Sequence, residues 1–129
     1  MKLLLDSHAI YWAVYDPERL SARASDSITD SANDLIVSLA SLWELSNKAA
    51  LGRLALAGTS VETMFAHIRD LSVTILPISE SDVITASTLP PHHLDPFDRM
   101  LVAQAQANSL VLVTADRDIP KYDVTVLWR

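Results

Sequence analysis

The chain has 129 residues, half of them hydrophobic, and ten Lys and Arg against sixteen Asp and Glu give it a formal charge of −6. That length suits one domain and lets roughly two-thirds of the unfolded chain's surface be buried, enough to fold without staples. The absence of cysteine excludes a disulfide framework, a thiolate zinc site and a Cys nucleophile, and two glycines, Gly52 and Gly58, are too few for a GxGxxG or Walker loop.

Read in chain order, short apolar runs alternate with helical stretches. A run at 3–5 precedes a helical pattern over about 7–14 and another over 21–32; a run at 35–37 leads into helices over 39–51 and 60–71. A run at 73–76 is followed by helices over 80–88 and 96–108, and runs at 110–113 and 124–127 complete the chain. The apolar runs are continuous rather than alternating, as in strands buried on both faces of a parallel sheet. Strand–helix alternation predicts an α/β fold with a central parallel sheet flanked by helices on both faces, in one domain spanning 1–129. The segment Leu89-Pro90-Pro91-His92-His93-Leu94 reads as a rigid loop before the helix that begins at Pro96. Asp6 breaks the N-terminal apolar run after three leucines, and no run approaches the ~18 residues of a membrane span, so a cytoplasmic protein without membrane contact is expected.

Ligand sites in open α/β sheets form beyond the carboxyl ends of the strands, so the polar residues delivered there carry the functional signal. The first strand delivers Asp6, which alone reads as a helix N-cap. The second runs into a helix carrying Glu44, placed roughly opposite a stripe of Leu39, Leu42, Leu45, Ala49 and Ala50, where a solvated ion pair with Lys48 is the plain reading. In Asp95-Pro96-Phe97-Asp98, Asp95 suits the N-cap and Pro96 the first helical position. Asp98 shares a helix face with Leu101, Val102 and Ala105, so its carboxylate must be paired, protonated or bound to a cation. The fourth strand delivers Thr114 and Asp116, with Asp118 following, in a turn that Asp also favours on structural grounds. The four histidines show no metal-ligand spacing and read as surface or supporting residues, and Trp12, Trp43 and Trp128 read as core anchors.

Two carboxylates about 4 Å apart repel by roughly 4 kcal/mol at an effective dielectric near 20. A bound cation relieves that repulsion, and an all-oxygen site suits Mg²⁺ or Mn²⁺ rather than zinc. Such an ion supports phosphoryl chemistry, with a nucleic acid as the favoured substrate. An acidic protein needs local cations to hold one, and Lys48, Arg53, Arg99 and Arg117 lie in or beside the acid-bearing segments.

The chain resembles the PIN-domain ribonucleases, specifically the VapC-like toxins of bacterial toxin–antitoxin pairs. The resemblance runs through Lys2-Leu3-Leu4-Leu5-Asp6-Ser7-His8, Ser38-Leu39-Ala40-Ser41-Leu42-Trp43-Glu44, the stretch from Leu89 to Ala105 containing Asp95-Pro96-Phe97-Asp98-Arg99, then Leu112-Val113-Thr114-Ala115-Asp116 and Val126-Leu127-Trp128. It implies strand order 3-2-1-4-5, a site at the carboxyl edge, and Mg²⁺- or Mn²⁺-dependent hydrolysis of RNA leaving a 3′-hydroxyl and a 5′-phosphate. The family's four acidic positions fall on Asp6, Glu44, Asp98 and Asp116, and its polar position after the fourth strand falls on Thr114. Ser7 stands where Thr is common and keeps the hydroxyl; Asp95, Asp118, Lys48 and Arg99 are implied only as supporting or substrate-contacting residues. The same resemblance implies a homodimer and a cognate antitoxin partner. The alternative is a catalytically inactive PIN domain serving as a protein- or RNA-binding module, which need not gain stability from Mn²⁺.

Overall fold

In the computed structural model, which describes residues 1–54 and 59–129, the apolar runs become five parallel strands. They are β1 (Lys2–Leu5), β2 (Asp34–Ser38), β3 (Thr74–Leu76), β4 (Val111–Val113) and β5 (Thr125–Leu127), in the order β3-β2-β1-β4-β5. The order implied by the family resemblance is therefore the observed one. β1 lies at the centre, with Leu3 beside Leu35 on one flank and Val111 on the other.

The helices are α1 (Ser7–Tyr15), α2 (Ala22–Thr29), α3 (Leu39–Ala50), α4 (Val61–Arg69), α5 (Glu80–Thr88) and α6 (Pro96–Asn108), with single 3₁₀ turns at Pro17–Arg19 and Ile119–Lys121. Strand pleating sends Leu3 and Leu5 into one core with Ile10, Leu42, Met64 and Ile68, while Leu4 enters a second core with Leu101, Val102 and Leu112. These β1 leucines are fully buried, which is why the run is continuous in sequence. Side-chain oxygens of Asp6, Ser21, Ser38, Ser60, Ser79 and Asp95 cap the six helices in turn.

Several element boundaries differ from the periodic reading by one to three residues, and two of the differences have a clear local cause. α2 stops at Thr29 rather than near 32, because Asp30 turns the chain and its carboxylate accepts from the Ala32 N–H at 2.9 Å. β4 starts at Val111 because Ser109 adopts a left-handed conformation (φ 53°) that closes α6 and returns the Leu110 N–H to the Ala105 carbonyl.

α3 departs further from the periodic pattern. Its buried side is Ala40, Ser41, Leu42, Glu44 and Leu45, whereas Leu39 and Trp43 are exposed, Trp43 at 62%. A single apolar stripe supposes one covered face, but α3 packs against α1 and α4 and also against α6. Cover on both flanks buries Glu44, so the expected solvated position does not hold. Trp43 is not a core anchor: its ring meets Phe97 edge-on, with centroids 5.2 Å apart.

The Pro-Pro loop before α6 is held by Arg99. Its Nε and Nη2 donate to the Ala86 carbonyl, Nη2 also to that of Leu89, and Nη1 to those of Pro90 and His93. The Tyr122 hydroxyl donates to the Pro90 carbonyl at 2.7 Å and accepts from the His93 N–H at 2.9 Å. Lysine has one compact ammonium in place of this fork. We expect Arg99→Lys to lower unfolding stability by about 2–3 kcal/mol, from the loss of charge-assisted hydrogen bonds; denaturant unfolding measures this, and an unchanged midpoint contradicts the clamp.

Candidate metal centre

At the carboxyl edge of the sheet lies a groove of about 350 Å³ lined by Asp6, Glu44, Asp95, Asp98 and Asp116, with Lys48 at its margin. Asp6 arrives as the residue that ends β1 and caps α1. Its Oδ1 accepts from the Ala9 N–H at 2.8 Å and its Oδ2 from the Thr114 hydroxyl at 2.5 Å. Capping and placement in the groove are thus two uses of one side chain. Burial raises the Asp6 pKa, against the hydrogen bonds from Thr114 and Ala9. Thr114 is itself buried at the end of β4 and its oxygen accepts from the Asp116 N–H, tying two acids to one hydroxyl.

Glu44 enters from α3 with one oxygen 3.2 Å from the Lys48 ammonium, while its buried Oε1 has no partner among the described residues. Asp95 caps α6 through Phe97 and Asp98 N–H groups and still lines the groove. Asp98, in the first turn of α6, has its pKa pushed up to about 7, by burial first and then by the Asp95 and Glu44 carboxylates. Asp116 is different. Burial acts to raise its pKa, but hydrogen bonds from His93 and from the Asp118 and Ile119 N–H groups outweigh it and hold the carboxyl below its usual range.

His93 sits between the last two acids, with Nε2 3.2 Å from Asp98 Oδ2 and 3.0 Å from Asp116 Oδ2. Its Nδ1 accepts from the Asp95 N–H at 3.1 Å, which leaves Nε2 carrying the hydrogen as a donor to both carboxylates. Asp98, Asp116 and His93 present ligand-type atoms within 4.8 Å of one another, a grouping that could hold a metal ion with His93 as a ligand only if Nε2 carried no hydrogen. In this tautomer His93 aligns the two acids rather than serving as a ligand.

The chain matches the family model described as PIN domain over residues 3–124. It is 35% identical over 118 residues to a Mycobacterium tuberculosis protein named Ribonuclease VapC22, covering 89% of this chain and 87% of that one. The chain is a PIN domain. Solved structures sharing the fold include VapBC2 from Rickettsia felis bound to a promoter DNA fragment, with TM-score 0.73, 14% identity and full coverage of both chains. Another is DNA-bound VapBC from Salmonella typhimurium, with TM-score 0.71, 17% identity and coverage of 98% and 97%. FitAcB from Neisseria gonorrhoeae gives TM-score 0.68 at 23% identity, covering 97% and 96%.

In this PIN domain the four acids singled out in the sequence share one groove, and Asp95 joins them. Asp118 does not line it; its carboxylate pairs with Lys121 at 2.8 Å on the surface. Ser7 is buried beside Asp6 at the start of α1. Arg99 is spent on loop carbonyls and Arg53 lies on the exposed surface past α3, so neither lines the acid groove. Ligand spacing passes over His93. Its one signal in the sequence is its position two residues before the cap of an acid-bearing helix.

Asp98 is neutral in the folded protein over a range where the unfolded chain has already ionised it. The metal-free fold therefore binds more protons than the unfolded chain between about pH 4 and 7, and stability falls as pH rises through that window. Thermal unfolding in EDTA should show a lower midpoint at pH 8 than at pH 5.5, with a smaller difference in Asp98→Asn. A pH-independent difference between the two proteins contradicts the shift.

Proposed function

We propose that this PIN domain, acting as one unit over 1–129 in the cytoplasm, is the ribonuclease toxin of a toxin–antitoxin pair and hydrolyses RNA phosphodiesters with Mg²⁺ or Mn²⁺. The observation that carries the reading is the incomplete charge balance of the groove: clustered acids, one oxygen of Glu44 buried without a partner among the described residues, and Asp98 titrating near 7. A divalent ion completes that balance, and the oxygen donor set suits Mg²⁺ or Mn²⁺. The 35% identity to a protein named as a ribonuclease supports the reaction class.

Asp6, Glu44, Asp98 and Asp116 would hold the ion, which when bound polarises phosphoryl oxygens and lowers the pKa of water. The chain's own part is positional. Thr114 fixes the rotamer of Asp6, His93 aligns Asp98 with Asp116, and Asp95 holds the first turn of α6. Lys48 stands 3.2 Å from Glu44 at the margin, where it can meet the substrate's phosphate once Glu44 is otherwise engaged. Purified protein should cleave structured RNAs in Mn²⁺, and Asp98→Asn should lose at least about a hundredfold of that activity while keeping its circular dichroism. Absence of cleavage by wild type, with no Mn²⁺-induced thermal shift, would favour the inactive binding module.

The partners proposed are a cognate antitoxin, RNA and a second copy of the chain. Leu39 and Trp43 on α3 and Val83 and Ile84 on α5 are exposed large apolar side chains. The exposed stripe of α3, made of Leu39, Trp43, Asn47 and Ala50, carries no charge, so a like-with-like contact there brings no repulsion between two acidic copies. Sedimentation should give a dimer for wild type and a monomer for Trp43→Glu; a monomeric wild type rejects the dimer.

A further inference from the structure

The acid groove is poorly suited to hold a polyanion unaided, so the cations beside it decide where RNA lies. Lys48 is paired with Glu44, and the donors of Arg99 are taken by carbonyls. Past Asp116, however, a second groove of about 450 Å³ opens along the carboxyl ends of β4 and β5, lined by Ala115, Asp116, Arg117, Pro120, Trp128 and Arg129 among others. Ala115 and Asp116 line both grooves, so the two adjoin. Among the described residues the guanidinium groups of Arg117 and Arg129 have no ion pair or hydrogen bond, and both residues are exposed.

The wall between the grooves is aromatic and held in place. The Ser21 hydroxyl donates to the Trp128 carbonyl, and Arg23 Nη1 donates to the Arg129 carbonyl at 2.8 Å, fastening this segment to α2. The half-buried Trp128 ring faces Trp12 at 5.9 Å between centroids, and Trp12 in turn lines the acid groove. His8 lies 5.5 Å from Trp12 on one side, and the Arg19 guanidinium lies 6.0 Å from its ring centroid. Aromatic rings thus run from the acid groove to the end of β5, with Arg19, ion-paired to Asp16 at 2.9 Å, beside Trp12.

Resting on the ribonuclease reading, we infer that the Arg117–Trp128–Arg129 groove is a substrate subsite for single-stranded RNA flanking the scissile phosphate. The two arginines take backbone phosphates, and Trp128 with Trp12 offers a surface on which an unpaired base stacks. Free guanidinium groups beside a half-buried tryptophan that lines the same groove match the alternation of phosphate and base in a single strand. A duplex keeps its bases stacked inside and reaches only the arginines. The subsite also explains how a protein of charge −6 holds RNA: the attraction is local to one end of the sheet.

The test uses Asp98→Asn protein, which leaves RNA intact, with and without Arg117→Gln and Arg129→Gln together. The probes are a 12-nucleotide single-stranded RNA, its duplex, an abasic strand of the same length and a 12-residue poly-glutamate. We expect the single strand to bind tightest and the arginine substitutions to weaken it about tenfold or more at low salt. The slope of log affinity against log salt should become shallower by about 0.7 for each phosphate that the arginines no longer neutralise. Unchanged affinity and slope in the double substitution overturn the subsite, as does no RNA binding by the parent. Equal binding of the abasic strand or poly-glutamate overturns base stacking, and poly-glutamate outcompeting RNA assigns the groove to an acidic protein segment instead. Cleavage in Mn²⁺ by otherwise wild-type protein separates the two readings. Retained cleavage with unchanged KM in Arg117→Gln/Arg129→Gln rejects the subsite and keeps the ribonuclease. Absent wild-type cleavage and no Mn²⁺-induced thermal shift, together with arginine-dependent single-strand binding, reject the ribonuclease and keep the groove as a site for single-stranded RNA.

Discussion

Mutual repulsion among carboxylates gathered at one end of a parallel sheet is the constraint around which the rest of this molecule is arranged. Asp6, Glu44, Asp98 and Asp116 come from four different elements, and the fold holds them in a groove of about 350 Å³. At an effective dielectric near 20, two ionised carboxylates about 4 Å apart repel by roughly 4 kcal/mol, a large share of the roughly 5–15 kcal/mol by which domains are typically stable. The protein meets that cost partly by hydrogen bonds to the acids, from Thr114, His93 and backbone N–H groups, and partly by keeping Asp98 neutral up to about pH 7.

Support for the site reaches well beyond the acids. His93 aligns two carboxylates only because its loop is fixed, and the loop is fixed because Arg99 and Tyr122 gather the carbonyls of Pro90 and His93. A chain of hydrogen bonds therefore runs from α5, through a guanidinium, to the groove. This division of labour leaves α6 carrying both a capping acid and a groove acid within its first turn, and β4 delivering Thr114 and Asp116 through one hydroxyl. On this account the neighbouring basic and aromatic groove supplies the attraction for RNA that the acids withhold.

Much of this is legible in the sequence, for identifiable reasons. Strands buried on both faces leave continuous apolar runs, so their number and rough positions can be read directly; their order comes with the family resemblance and not from periodicity. The acids at strand ends are visible because strand–helix junctions in α/β sheets are where sites form. Glu44 reads wrongly as solvated because a helix covered on two flanks does not show one apolar stripe. His93 escapes notice because spacing templates look along a helix, and it reaches its partners across a loop shaped by a residue six positions later. Arg99 illustrates the same limit, since a charge in sequence does not reveal that the carbonyls of Ala86, Leu89, Pro90 and His93 converge on it.

The central claim is that these carboxylates are held against their own repulsion for the sake of a divalent cation. It is tested most directly by thermal unfolding of wild type and Asp98→Asn at pH 8, each in EDTA and in Mn²⁺. Removing one charge from a repelling cluster should raise the midpoint in EDTA, while Mn²⁺ should raise the wild-type midpoint and leave that of Asp98→Asn nearly unmoved. A wild type indifferent to Mn²⁺, together with an Asp98→Asn protein less stable than wild type in EDTA, would contradict the account.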